Sequence, residues 1–299
     1  MLPVEVQNIS KSYGAVQALR NIDFNVNAGE LFGFIGPDGA GKTTLFRILT
    51  TLLVQDGGKA YVQGFETVKE YKKIRKIVGY MPGRFSLYPD LTVQENLNFF
   101  AGIFGAKASE NMHLVKEIYS QIEPFKDRKA GKLSGGMKQK LALSCALIHK
   151  PEVLFLDEPT TGVDAVSRTE FWEMLKRLIG FGITIVVSTP YMDEASRCDR
   201  VALIQNGSLL EVNSPREIVK RFGKKIFSVR SEKAFSLLKD LREIAKDACA
   251  FGNEIHFSME DTDVSLVIQK LNSLGHEHIF VREILPSIED CFMELMSKQ

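Results

Sequence analysis

Apolar and polar residues alternate over Val4 to Ile9 and again over Ile22 to Val26, with Gly14 and Asn27-Ala28-Gly29 as turn residues. That period of two predicts short strands. A third strand is expected over Leu31 to Ile35, running directly into a glycine-rich segment, and Lys42 to Leu53 then has the length and periodicity of a helix. Residues 92 to 149 read as mostly helical, with apolar spacing in Val93, Leu97 and Phe100 and again in Leu114, Ile118 and Ile122. Such a stretch fits a helical insertion between strands of a main sheet. Strands return at Val153 to Leu156, Thr184 to Ser188 and Val201 to Gln205, with a helix from about Ser167 to Ile179. Buried parallel strands joined by helical crossovers fit that order. Turn residues Asn213-Ser214-Pro215 close the unit. Beyond them, strands over Ile226 to Arg230, Glu254 to Ser258 and Ile279 to Glu283 alternate with helices over Ala234 to Ile244 and Val264 to Leu274 and a terminal helix, giving a small α+β domain. The expected division is 1–215 and 216–299, with the helical insertion at about 84–150.

Composition narrows the class. With 299 residues, 44% hydrophobic and 25% charged, the chain has the make-up of an ordinary globular protein with material for one large domain and one small one. The net charge of +1 gives no electrostatic argument for a nucleic-acid partner. The strongest apolar runs, Val153 to Leu156 and Ile183 to Val187, are far shorter than the roughly 20 residues of a spanning helix. The N-terminus lacks the pattern of a secretory signal, so a cytoplasmic location is expected. Cys145, Cys198, Cys249 and Cys291 are scattered without metal-ligand spacing, which predicts reduced, structural thiols.

Three segments carry chemistry. Gly36-Pro37-Asp38-Gly39-Ala40-Gly41-Lys42-Thr43, followed by Thr44, fits the phosphate-loop pattern of two glycines spanning four residues and then Lys and Ser/Thr. The loop amides and the helix start would wrap the phosphates of a nucleotide, Lys42 would neutralise them, and Thr43 would place its hydroxyl on Mg²⁺. Val153-Leu154-Phe155-Leu156-Asp157-Glu158 reads as a buried strand delivering two carboxylates at its carboxyl end, where ligands of open α/β sheets bind. Asp157 would hold Mg²⁺ through its water shell and Glu158 would polarise an attacking water. Taken alone, two acids after an apolar run mark a solvated strand end. Leu133-Ser134-Gly135-Gly136-Met137-Lys138-Gln139 combines a helix N-cap with two glycines that leave backbone N–H groups uncovered. Its bland reading is a capped helix and nothing more.

In this order, over roughly residues 1 to 212, the motifs resemble the ATPase domain of ABC transporters. The resemblance implies a P-loop NTPase α/β fold with a RecA-like core, an antiparallel β subdomain and a helical insertion. It also implies ATP held between two opposed subunits, with Ser134, Gly135 and Gly136 serving the partner's nucleotide. Tyr13, before Gly14, matches the family's adenine-stacking aromatic. Thr161-Gly162-Val163-Asp164 matches the segment that crosses the dimer interface, which makes Asp164 a coupling candidate.

Two family side chains are missing. Gly83, in Gly79-Tyr80-Met81-Pro82-Gly83-Arg84, stands where the family carries Gln, and Pro190, in Val187-Ser188-Thr189-Pro190, stands where it carries His. Arg84, Ser188 and Thr189 are the nearest polar substitutes in the sequence. ATP binding is therefore expected, with hydrolysis slowed. The resemblance also implies a separate integral-membrane permease, docked near Phe85, Leu87, Tyr88 and Leu91, and a chain peripheral on the inner face of the cell membrane. The run Tyr191-Met192-Asp193-Glu194-Ala195, with Pro286 to Leu295, looks like the drug and antibiotic exporter branch, so export is favoured over import. The rivals are a soluble ABC ATPase acting on ribosomes or DNA, and a regulatory subunit that senses ATP without turning it over. His256, His276 and His278 are expected as surface or strand residues rather than metal ligands.

Overall fold

Alternation builds the first sheet. In the computed structural model, which describes all residues except 85, 108, 232–233, 246, 253, 260–263, 277–278 and 298–299, β1 (Val4–Tyr13) and β2 (Val16–Val26) form an antiparallel hairpin. Both strands outrun the expected ones, because apolar alternation marks only the part of a strand with a buried face. In β1 the remainder, Ser10 to Tyr13, is held by backbone pairing and carries mostly polar side chains, and in β2 the added Val16 to Asn21 buries only Leu19 fully.

The chain divides into two units, Met1–Ser214 and Pro215–Gln299. In the first, β3 (Leu31–Ile35) leads into α1 (Lys42–Leu49), followed by β4 (Gly57–Val62), β5 (Phe65–Glu66), α2 (Tyr71–Ile77) and β6 (Val78–Met81). The helices α3 (Val93–Ile103), α4 (Met112–Ser120) and α5 (Gly135–Leu147) fill the stretch before β7 (Val153–Asp157). After it come α6 (Ala165–Ile179), β8 (Thr184–Thr189), β9 (Arg200–Gln205) and β10 (Ser208–Asn213). Two sheets result, an antiparallel one in the order β2-β1-β4-β5 and a mostly parallel one in the order β10-β9-β3-β8-β7-β6. Only the edge strand β10 runs antiparallel there. The sequence pattern misses β6 because it is four residues long and contains Gly79, too short for either periodicity to register.

Five phenylalanines join the two sheets. Phe24 of β2 stacks on Phe32 and meets Phe34 edge-on at a centroid distance of 4.8 Å, Phe34 meets Phe46 of α1, and Phe46 meets Phe155 of β7 at 5.9 Å. Each T-shaped pair adds about 0.5–1.5 kcal/mol beyond its area burial. The chain of contacts fixes α1 against the strand that ends in Asp157.

The helical insertion is organised by one buried amide. Asn96, fully buried in α3, donates to the carbonyls of Tyr88, Leu91 and Thr92 and accepts the Tyr88 N–H at 3.0 Å. Thr92 and Glu95 form a capping box at the start of the same helix, which fixes where the loop ends. Asn96→Leu leaves the Tyr88 N–H without its acceptor and removes one of two hydrogen bonds from each of the three carbonyls, which keep backbone partners, so chemical denaturation should show a loss of about 2 kcal/mol. A loss under half of that would mean that the loop is held by other contacts.

The second unit contains α7 (Pro215–Lys220), β11 (Lys225–Arg230), α8 (Ala234–Ile244), β12 (Cys249–Phe251), β13 (Glu254–Met259), α9 (Val264–Ser273), β14 (Phe280–Ile284) and α10 (Ile288–Ser297). Its antiparallel sheet has the order β12-β13-β11-β14, the strand–helix–strand–strand–helix–strand plan of a split β-α-β fold. Phe227, Val229, Leu237, Leu241, Phe257 and Leu271 form its core. His276 is buried rather than at the surface, and its Nε2 lies 2.7 Å from Asp240, while His256 Nδ1 lies 2.9 Å from Asp290. Both pairs are explained by hydrogen bonding to carboxylates. His278 lies outside the described residues.

All four cysteines are free thiols, and three of them are buried. Burial pushes the Cys145 and Cys198 thiols far up and Cys291 up to about 12; it raises Cys249 too, but that thiol is only half-buried and so is less shielded from solvent. Thiolate is the reactive form. At pH 8, mass spectrometry after iodoacetamide treatment should find Cys249 alkylated first and the other three only on unfolding. Early labelling of Cys198 would contradict its packing in the core.

Candidate functional site

The phosphate-loop segment leaves β3 and enters α1 as expected, and two of its glycines are there because backbone passes too close for a side chain. A Cβ on Gly36 would lie 2.1 Å from the Ile204 carbonyl oxygen, and one on Gly41 would lie 2.5 Å from that of Ala18. Gly41 also sits at φ +104°, in the left-handed region where a side chain is strained. Pro37 is half-buried, Asp38 and Gly39 are exposed, Ala40 is buried, and Thr43 and Thr44 are partly buried in the first turn of α1. The helix has no side-chain cap at its N-terminus, so its leading N–H groups and the positive end of its dipole face out of the loop.

Lys42 is 3% exposed, and its ammonium donates to the carbonyls of Gly36 at 2.7 Å and Pro37 at 2.9 Å. It also lies 3.2 Å from Glu158 Oε1. The two motifs that the sequence could only propose as neighbours thus meet through one ion pair. Glu158 stands just beyond β7 at φ +49°, a conformation that non-glycine residues seldom adopt and that costs of order 1 kcal/mol or more. The turn aims its carboxylate back at Lys42.

Asp157 is 2% exposed and ends β7. The β7–β8 register sets it opposite Ser188, whose hydroxyl donates to Asp157 Oδ1 at 2.6 Å. The same Ser188 oxygen accepts the Glu158 N–H at 3.0 Å, and the Ser188 carbonyl accepts it at 3.1 Å. Beside them, burial and the Asp157 charge push the Tyr80 phenol up to about 12. It stays protonated at neutral pH. With Thr43 on α1, Asp157 offers oxygen donors only, the set that suits a hard cation such as Mg²⁺ when substrate phosphates complete its shell.

The two departures sit at this point. A Cβ on Gly83 would lie 3.1 Å from the Asp157 carbonyl oxygen and 3.7 Å from Glu158 Cβ, so Gly83 rests on the carboxylate turn without a side chain to extend over it. Pro190 follows β8 directly. Of the three polar substitutes, only Ser188 reaches the carboxylates: Arg84 is exposed, and Thr189 bonds to Glu194. Glu194 is 3% exposed, also accepts from Thr160 at 3.1 Å, and faces Arg168 Nε at 4.0 Å. That buried cluster was not expected from the sequence, where Glu194 reads as one acid in a polar turn.

Tyr13, at the tip of the β1–β2 hairpin, is 46% exposed. The register pairs it with Val16, two positions before Ala18, whose carbonyl abuts Gly41. An exposed aromatic at the end of β1 thereby stands across the hairpin from β2, the strand that flanks the loop. Ser134 caps α5 by accepting the Met137 N–H at 3.4 Å, and both Ser134 and Gly135 are exposed. Their nearest neighbours are not the phosphate loop: a Cβ on Gly135 would lie 3.6 Å from the Gly162 carbonyl, and one on Gly136 3.2 Å from Ser167 Oγ. Asp164, expected as a coupling residue, caps α6 by accepting the Val166 and Ser167 N–H groups at 3.1 and 3.0 Å. Those bonds hold its carboxyl below the usual range. Leu87 is buried and Tyr88 packs edge-on against Phe99 at 4.7 Å, and Phe85 lies outside the described residues.

Known proteins resemble this chain in sequence and in fold. A family model described as ABC transporter matches residues 19–161. The chain is 37% identical over 288 residues to the probable multidrug ABC transporter ATP-binding protein YbhF of Escherichia coli strain K12, covering 93% of this chain and 49% of that protein. It thus spans about half the length of that relative. It is 35% identical over 302 residues to the Nod factor export ATP-binding protein I of Burkholderia thailandensis, covering 99% of this chain and 98% of that one. Among solved structures, a dimeric ATP-binding cassette in a post-hydrolysis state with ADP and Pi superposes with a TM-score of 0.64 at 27% identity, over 71% of this chain and 98% of that one.

Proposed function

Because the chain belongs to the family of ABC transporter ATP-binding proteins, an ATPase family, we propose that it binds and hydrolyses ATP to drive export through a separate membrane permease. The 3.2 Å contact between Lys42 and Glu158 carries the reading, since it brings a phosphate-binding cation and a candidate base into one site. In this mechanism the amides of Gly36 to Thr43 and the α1 N-terminus bind the phosphates. Lys42 exchanges its contact with Glu158 for the phosphate oxygens, freeing the carboxylate to accept a proton from the attacking water. Thr43 and Asp157 hold Mg²⁺, which when bound neutralises charge on the phosphates.

The exposed Ser134-Gly135 start of α5 serves ATP held by a second copy of the chain, and Tyr13 stacks on adenine. The solved dimeric cassette supports such pairing. Export is supported by the multidrug and Nod factor export names of the relatives.

No helix among the described residues is long and apolar enough to cross a membrane, and the transport proposed here runs through a separate permease. A groove of about 650 Å³ beside β6 is floored by Met81, Leu87, Phe100 and Phe104, and its charged lining groups, Arg75 and Lys76, are both basic. It suits a short permease helix bearing an acidic residue. The test is to identify any polytopic membrane protein encoded next to this chain's gene and co-express the two. Recovery of the two together from membranes is the expected result, and a chain that stays wholly soluble with its operon intact contradicts it.

A further inference from the structure

Ser188 occupies a place that neither carboxylate motif accounts for. It is fully buried on β8, lies opposite Asp157 in the parallel register, and its hydroxyl makes one bond to each side of the candidate site. Its hydroxyl hydrogen goes to Asp157 Oδ1 at 2.6 Å, and its oxygen receives the Glu158 N–H at 3.0 Å. We propose that Ser188 is a positioning residue that orients Asp157 toward Mg²⁺ and holds the strained Glu158 turn, a role resting on the assignment of Asp157 and Glu158 above.

Two observations support it. A carboxylate 2% exposed cannot rely on water to fix its rotation, and the Ser188 hydroxyl donating to Oδ1 at 2.6 Å supplies that restraint. Groups that hold a metal ligand from behind in this way change metal affinity by about 10- to 100-fold when removed. Second, Glu158 has a left-handed backbone at φ +49° that must be held by surrounding bonds to persist. Its N–H is shared between the Ser188 hydroxyl and carbonyl. With Gly83 resting against the same turn and contributing no side chain, Ser188 is the polar group that joins the two carboxylate positions.

The experiment uses the full chain and Ser188→Ala. Calorimetry would give ATP affinity with Mg²⁺ and with EDTA, and a Mg²⁺ titration would give the half-saturation of hydrolysis. The expected result is about a 10-fold smaller gain in affinity from Mg²⁺, a matching rise in half-saturation, and an EDTA affinity within about twofold of the unsubstituted chain. Where the alanine chain does not fold, Ser188→Cys keeps the volume, weakens the donor and should shift both readouts in the same direction. A Mg²⁺ gain unchanged within twofold overturns the proposal, as does a parallel fall in EDTA affinity, which would mark a general collapse of the loop. Asp157→Asn separates the two levels. If it leaves the Mg²⁺ gain intact, the assignment of Asp157 fails; if it abolishes the gain while Ser188→Ala does not reduce it, only the role of Ser188 fails.

Discussion

Glu158→Gln should lower ATP turnover about a hundredfold or more while leaving ATP affinity equal or higher. The amide keeps the volume of the side chain but cannot accept a proton, and loss of a positioned general base costs about 10²–10⁴ in rate. Binding survives because the phosphate loop, Lys42 and Thr43 are untouched. It can improve, because a carboxylate 3.2 Å from Lys42 competes with phosphate for the same ammonium. Single-turnover hydrolysis beside equilibrium binding separates the two effects. Unchanged residual hydrolysis in the Gln variant would show that Glu158 is not the base, and would revive a chain that only senses ATP.

The second large effect falls on binding. Lys42→Ala should weaken ATP affinity about 100-fold, the scale expected when one member of a buried charged contact is removed. The fold should persist. Lys42 is buried, but its ion-pair partner Glu158 keeps 23% of its side chain exposed, so the carboxylate left behind can turn to water. A thermal melt close to that of the unsubstituted chain, beside lost nucleotide binding, is the expected pair of results. Retained ATP affinity would place the phosphates elsewhere.

What the sequence made legible was local. The phosphate loop, the buried strand ending in Asp157-Glu158 and the capped start of α5 are each contiguous, so their residue types and spacing suffice to find them. The long, periodic α6 and the continuous apolar run of β3 were legible for the same reason. Relations between segments were not. That Lys42 pairs with Glu158, or that Ser188 stands opposite Asp157, follows from the order β3-β8-β7 and its register, and no local pattern encodes register. The same holds for Glu194, whose partners Thr160 and Thr189 come from two separate segments. The Asp164 carboxylate caps α6, a contact within its own segment that is separate from the coupling expected of it.

At the centre of the account is a composite ATP site that two copies complete. Light scattering on the Glu158→Gln chain, with and without ATP and Mg²⁺, addresses it most directly. The account predicts a shift from 33.5 kDa to about twice that mass with ATP, abolished by adding either Lys42→Ala or Ser134→Glu. A chain that binds ATP one to one and still stays at 33.5 kDa would contradict it.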